Sequence, residues 1–300
     1  MQIVWLGQGG LMLVSKKNKI LVDPYMSNAL KKVDKGLKRK VRVRKKFFKL
    51  KPDVIVLTNC HPDHTDMKTL SKFLKKKKTG VTVLSCENSF KELISTKDCN
   101  KANHIMFGEG DEWSLNTLHI KAIKARTDDR TAFGLLITDS TDGKKYYIAS
   151  NTLYNEAIID EIPKELYAAF IPISGTYGCM NTQDAERFAK RLDADFVVPI
   201  NYGMFDTLDP DNFKCLGKVV PKPFRAIEFN ILSVQSLFAP KVFDRKFNEK
   251  EAEKVQEEKE QAADSQLKPT VQPVIEPAKQ PVTTTDKVDP VAEIDLSKDL

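Results

Sequence analysis

The chain has 300 residues, 41% of them hydrophobic, which is ample for one large buried core, and a net charge of +7. Five scattered cysteines with no CxxC pair argue against a disulfide framework and point to reduced thiols in a cytoplasmic setting. The opening Met1–Gly7 lacks the basic region of a signal peptide, and no stretch approaches the length of a membrane span.

In chain order, Ile3–Leu6, Leu11–Ser15 and Lys19–Asp23 read as three strands. They are separated by the turn Gly7-Gln8-Gly9-Gly10, which no helix follows and which is therefore not a phosphate loop, and by Lys16-Lys17-Asn18. Val54–Leu57 is a strand and Asp66–Lys76 a helix; Val81–Leu84 is a strand and Ser89–Ser95 a helix. Leu118–Ala125, Ala132–Thr138 and Lys145–Ala149 form a meander with a hairpin at Ser140-Thr141-Asp142-Gly143. A helix near Tyr154–Asp160, the strand Ala168–Ile171, a helix over Thr182–Leu192 and the strand Phe196–Ile200 complete the series. In the Thr182 helix, Ala185, Phe188, Ala189 and Leu192 fall at i, i+3, i+4 and i+7 behind a Thr cap. Antiparallel strands open each half and strand–helix alternation follows, which predicts an α/β fold with a sheet core and helices outside, one domain over residues 1–248. Residues 249–300 are charged, punctuated by proline and free of aromatics, and predict a disordered tail.

Charge is unevenly spread. Glu251–Leu300 carries twelve acidic and six basic residues, whereas Lys31–Lys51 holds twelve Lys or Arg against the single acid Asp34. The run Lys75–Lys78, at the end of a helix, reads as a solvated face. The Lys31–Lys51 run is denser than solubility requires and predicts attraction to an anionic small molecule or an acidic partner, the tail included. Nucleic acid ranks below these, because the aromatics within the run are limited to Phe47-Phe48.

Just past the Val54–Leu57 strand, His61, Asp63 and His64 are packed into four residues, a spacing that suits a metal. A centre built from this corner would take a further histidine two positions before His61, where Asn59 stands. Cys60 and Cys179 are alternative ligands, with Cys60 better read as a small buried residue at a strand end. His104 and His119 sit beside apolar residues and read as structural.

Four ordered blocks carry a family resemblance: "IVWLGQGGLMLVSKKNKILVDPY" (Ile3–Tyr25), "VIVLTNCHPDHTD" (Val54–Asp66), "ASNTLYN" (Ala149–Asn155) and "VVPINYGMF" (Val197–Phe205). Together they resemble the metallo-β-lactamase superfamily, and within it the L-ascorbate-6-phosphate lactonase-like metallohydrolases. The resemblance implies a four-layer αβ/βα sandwich with a two-metal site where the loops after the strands meet, the metals making hydroxide and polarising the bond to be cut. The family pattern T-H-x-H-x-D-H meets Thr58, Asn59, His61, Asp63 and His64 here. A mid-chain histidine is replaced at the level of Arg126 or Asp128. Asn151, beside Thr152, stands for a bridging aspartate, Asn201, beside Tyr202, stands for the last histidine, and Asp23 matches as it stands.

An asparagine amide is a neutral, weak donor toward zinc and brings no charge to offset a dication. The expectation is therefore an impaired or lost centre, with either no metal or one weakly held zinc or manganese on His61, Asp63 and His64. Two functions follow. One is a non-catalytic binding protein; the other is a mono-metal hydrolase of a phosphorylated lactone or phosphodiester, with Asp63 as general base.

Overall fold

Apolar runs bounded by turn residues become strands whose alternate side chains serve two cores. The structure, a computed structural model, describes residues 1–16, 18–75 and 80–229; the expected tail, its boundary at 248 and most of the Lys75–Lys78 run lie outside the described residues. β1 (Gln2–Gly7), β2 (Gly10–Ser15) and β3 (Asn18–Val22) form an antiparallel meander, and the Gly7–Gly10 stretch is the turn between the first two. β4 (Val54–Leu57), β5 (Thr82–Ser85) and β6 (Asn103–Met106) then extend that sheet in parallel, with α1 (Met67–Leu74) and α2 (Glu87–Ser95) as the crossovers.

The second sheet repeats the plan. β7 (Glu112–Leu115), β8 (Leu118–Lys124), β9 (Phe133–Asp139) and β10 (Lys144–Ile148) are antiparallel neighbours. β11 (Ala168–Pro172) and β12 (Phe196–Ile200) follow in parallel, linked through α3 (Glu156–Glu161) and α4 (Thr182–Leu192). The strand orders β1 to β6 and β12 to β7 make two six-stranded mixed sheets.

The sheets meet face to face. Ile3, Trp5, Leu13, Val22 and Val56 of the first join Ile120, Ala122, Leu135 and Ile137 of the second in one buried cluster, which extends to Phe188 and Ala189 of α4. Their strand neighbours Val4, Leu6, Leu21, Ile55 and Leu57 point the other way and bury Leu70, Phe73 and Leu74 of α1. The result is the expected αβ/βα sandwich, with strands apolar on both faces because both faces are covered. No described helix is long and apolar enough to cross a membrane.

Two caps fix the helices. Asp66 accepts hydrogen bonds from the Lys68 and Thr69 amides and starts α1. For α4 the expected Thr cap is corrected: Asn181 is the cap, accepting from the Asp184 amide at 2.9 Å, and Thr182 is the first helical residue. Asn181 leaves the helical dihedrals that Thr182 adopts, so the carboxamide rather than the hydroxyl reaches the free N–H.

Between β3 and β4 the chain makes only three 3-10 turns, Leu30–Lys32, Lys35–Leu37 and Lys45–Lys49. This basic segment is nevertheless pinned. Phe47 is buried against Phe224, with ring centroids 5.1 Å apart, and the Lys40 amide donates to the Met204 carbonyl at 2.9 Å. A last stretch closes both outer strands: Lys218 bridges Val197 of β12, and Ala226 bridges Val4 of β1.

Candidate functional site

Every side chain at the site leaves a strand end or the turn beside one. Asp23 follows β3, Thr58–His64 follow β4, Arg126–Asp129 follow β8, Ser150–Thr152 follow β10 and Asn201 follows β12, while Gln8 occupies the β1–β2 turn. Four of these, Gln8, Asp23, Ser150 and Asn201, have φ between 45° and 58°, backbone that non-glycine residues adopt at some strain. Such strain clusters at functional sites, and here it turns short side chains inward.

Asp23 is the buried hub. Its carboxylate accepts from the Thr58 amide at 2.8 Å and the Thr58 hydroxyl at 2.5 Å, and it meets His64 Nδ1 at 2.8 Å. The Thr58 hydroxyl also contacts Ser150 Oγ, to which Asn59 donates at 3.1 Å. Asn59 in turn accepts the His61 amide at 3.0 Å, so it shapes the loop rather than facing the cavity. Burial pulls the His64 pKa down, but Asp23 and Asp63 raise it to about 8.

The other two asparagines lie between the histidines. Asn151 Nδ2 donates to His61 Nδ1 at 3.0 Å, which leaves the proton on Nε2, and this nitrogen reaches the Asp128 carboxylate at 3.1 Å. Asn201 contacts the Asn151 carbonyl oxygen through its amide, and its nitrogen lies 3.4 Å from His64 Nε2. Cys179 completes the cluster, its thiol 3.1 Å from Asn151 Oδ1. Asp63 accepts from Gln8 Nε2 at 3.1 Å. The Gln8 and Asn201 side-chain oxygens are buried without a partner among the described residues. Also among the described residues, no group of three or more His, Cys, Asp and Glu is arranged to hold a metal ion.

Above His61 and Asp63 opens a cavity of about 520 Å3. Leu30, Val33 and Leu37 of the basic segment, with Tyr177 and Phe205, give it apolar walls. Among the described residues its charged lining is Asp34, Asp63 and Asp206, with no lysine or arginine.

Residues 18–202 match the β-lactamase superfamily domain. The chain is 30% identical over 229 residues to a UPF0173 metal-dependent hydrolase of Thermoplasma volcanium, covering 73% of this chain and 92% of the relative. It is 29% identical to one from Pyrobaculum islandicum, over 71% of this chain and 90% of that protein. This protein belongs to the metallo-β-lactamase superfamily, in its UPF0173 metal-dependent hydrolase family. In fold the family member resembles Igni18, a metallo hydrolase from Ignicoccus hospitalis, with a TM-score of 0.57 at 23% identity, over 75% of this chain and 97% of that one.

Of the side chains expected at the site of this family member, the structure brings Asp23, Asn59, His61, Asp63, His64, Asp128, Asn151 and Asn201 into one network. Arg126 contributes only its backbone, its amide donating to Thr152 Oγ1 at 2.9 Å. Tyr202 stacks on Trp5 in the core, 5.3 Å between centroids, and is not among the cavity-lining residues. Cys60 is half-buried; burial and Asp129 push its thiol up to about 12, and burial does the same for Cys179, so neither is a ready thiolate. His104 hydrogen-bonds the Cys99 carbonyl and His119 pairs with Ser114, both outside the network.

No motif in the sequence singles out Gln8, Ser150 or Asp129. Asp129 accepts from the Thr131 hydroxyl at 2.7 Å, the Cys60 amide at 2.8 Å and the Thr131 amide at 3.0 Å, and these bonds hold its pKa at about 2 despite burial. Only the strand-end position of each could have marked them.

Proposed function

We propose that this protein keeps the fold of its family but uses the pocket without a two-metal centre, as a small-molecule binding protein. The observation that carries this reading is the pair Asn151–Asn201 standing between His61 and His64. A catalytic zinc takes about three protein ligands, each with a free lone pair. Here His61 Nδ1 accepts an amide hydrogen, His64 Nδ1 is turned to Asp23, and amides stand at Asn151 and Asn201 where further ligands would have to come. The residues present do not fit the metal centre that the family name implies. Amides beside Asp23 and Asp63 also avoid the like-charge repulsion that further carboxylates would bring once no dication offsets them.

The cavity favours a ligand with an apolar body and N–H donors or a cationic group. Its walls are aliphatic and aromatic, and its charged groups among the described residues are all acids. An anionic small molecule finds no cation in that lining.

Identity to proteins named metal-dependent hydrolases favours a second reading, an active metal-dependent hydrolase. A single metal and a phosphorylated lactone or phosphodiester substrate are our own expectation for it. Metal content by plasma mass spectrometry, on protein purified without chelator and on the His61→Ala/His64→Ala double variant, separates the two. Substoichiometric metal, equal in both proteins, is the expected result. About one or more equivalents of zinc or manganese that vanish in the variant would replace the binding reading with the hydrolase.

A further inference from the structure

A different set of side chains from residues 28–51 lines a second concavity, of about 420 Å3, together with α1. Among the described residues its charged lining is Arg39, Lys40, Arg42, Lys68 and Lys72, with no carboxylate, and the Phe48 ring lies beneath Lys72, 3.7 Å from Nζ to the centroid. Along this wall the exposure alternates: Leu37, Arg39, Val41 and Val43 are half-buried, while Lys38, Lys40, Arg42 and Arg44 are exposed. The segment thus turns its apolar side inward and sets a row of cations outward. Lys68 and Lys72 face the same groove one helical turn apart, a like-charge pair that costs the helix a little and brings no compensating ion pair.

Elsewhere paired and unpaired lysines are interspersed: Lys91 pairs with Glu87, Lys121 with Glu112 and Lys124 with Glu109, while Lys164, Lys190 and Lys214 stand singly without a carboxylate within 4.0 Å among the described residues. None of the twelve cations in Lys31–Lys51, nor Lys68 or Lys72, has a carboxylate within 4.0 Å among the described residues. Arg39 is held by carbonyls alone, those of Tyr25, Val41 and Leu6, with its guanidinium 5.1 Å from the Tyr25 ring centroid. A solvated face made for solubility would mix both signs.

We infer that this groove is a binding surface for the phosphate backbone of a single-stranded nucleic acid, without base specificity. Repeated cations on two walls match a ligand with repeated negative charges rather than one small anion, and the concavity suits one strand. An anionic membrane fits less well, because the aliphatic side chains beside the groove, Val41 and Val43, are half-buried, and the exposed Val33 lies on the cavity side instead. The surface is separate from the cavity above His61, so the inference stands whether or not that site holds a metal.

The test is fluorescence anisotropy of a labelled oligouridylate and a labelled oligothymidylate with the full-length protein, across a range of salt. The expected result is saturable binding whose logarithm falls linearly with the logarithm of salt. Arg42→Glu/Lys68→Glu/Lys72→Glu should weaken it at least about tenfold and lower the salt slope by about two, near 0.7 for each phosphate no longer neutralised. Lys164→Glu/Lys190→Glu/Lys214→Glu, with the same change in charge, should leave the slope within about 0.5 of the parent. No saturable binding at low salt, or equal losses in the two triple variants, overturns the inference. So does stronger, groove-dependent binding to phosphatidylserine vesicles, which would make the surface a membrane contact. If the reversal variant melts early, Arg42→Gln/Lys68→Gln/Lys72→Gln supplies the same comparison with milder substitutions.

Discussion

The cavity above His61 and the groove beside α1 draw on one chain segment, yet they carry opposite charge. Among the described residues, the cavity takes Leu30, Val33, Asp34 and Leu37 from residues 28–51 and has acids as its only charged lining. The groove takes Arg39, Lys40 and Arg42 and has only cations among them. Of the twelve basic residues in the Lys31–Lys51 run, Arg39, Lys40 and Arg42 line the groove, and none is among the described residues that line the cavity. The effect of the run is local to the side on which the cations emerge, because exposed charges are screened within about 8–10 Å in salt. Sequence charge alone joins two surfaces that the fold keeps apart.

The two regions should also differ in what they contribute to stability. The pocket floor is a buried, mutually dependent network, and the groove is an exposed rim. Asp23→Ala removes the carboxylate that holds His64 and both donors of Thr58. Losing the partner of the buried ring together with both Thr58 bonds costs about 3 kcal/mol, so the denaturation midpoint should fall steeply. A midpoint within error of the parent would show that Asp23 is not the hub. Phe47→Ala attacks the tie shared by both regions, the contact with Phe224, and should cost about 3 kcal/mol by cavity formation.

A pH titration of stability comes next in size. The His64 pKa is about 8 in the folded protein against about 6.5 when unfolded, so its contribution is fully present below pH 6.5 and is lost as pH rises through 8. The shift is worth about 2 kcal/mol, readable as a lower urea midpoint at pH 9 than at pH 6. Asp23→Asn should flatten that difference, and an unchanged profile in this variant would assign the dependence to other groups. At the small end, Arg42→Ala and Lys68→Ala should move stability by no more than about 0.5 kcal/mol. A larger loss on thermal melting would mean that the groove, too, is part of the folded framework.

Most of the sandwich is legible in the sequence because its strands are apolar on both faces and bounded by turn residues, as in Val54–Leu57 and Phe196–Ile200. β7, with the sequence Glu-Trp-Ser-Leu, gives no such signal because it is an edge strand with an exposed face and only four residues. The Thr182 helix is legible but its cap is not, since Asn181 and Thr182 are both good caps and only the backbone angle decides. At the site, the order of motif blocks fixes which loops meet. It does not say that Asn59 turns into its own loop while Asn151 and Asn201 face the histidines, because that depends on contacts 50 and 90 residues apart. The cavity wall from Leu30 to Leu37 has neither helical nor strand periodicity and emerges only in three dimensions.

The short stretch around Lys218–Ala226 acts as a seam. Two half-molecules with the same plan, each an antiparallel meander continued by parallel strands, would otherwise end in open edges at β1 and β12. One ribbon hydrogen-bonded to both makes their melting a single event, and it hides two templates on which a second chain could assemble. A protease cut near Val220, which is partly exposed, would unzip both rims at once. The first sign of damage would then be aggregation, ahead of any loss of secondary structure.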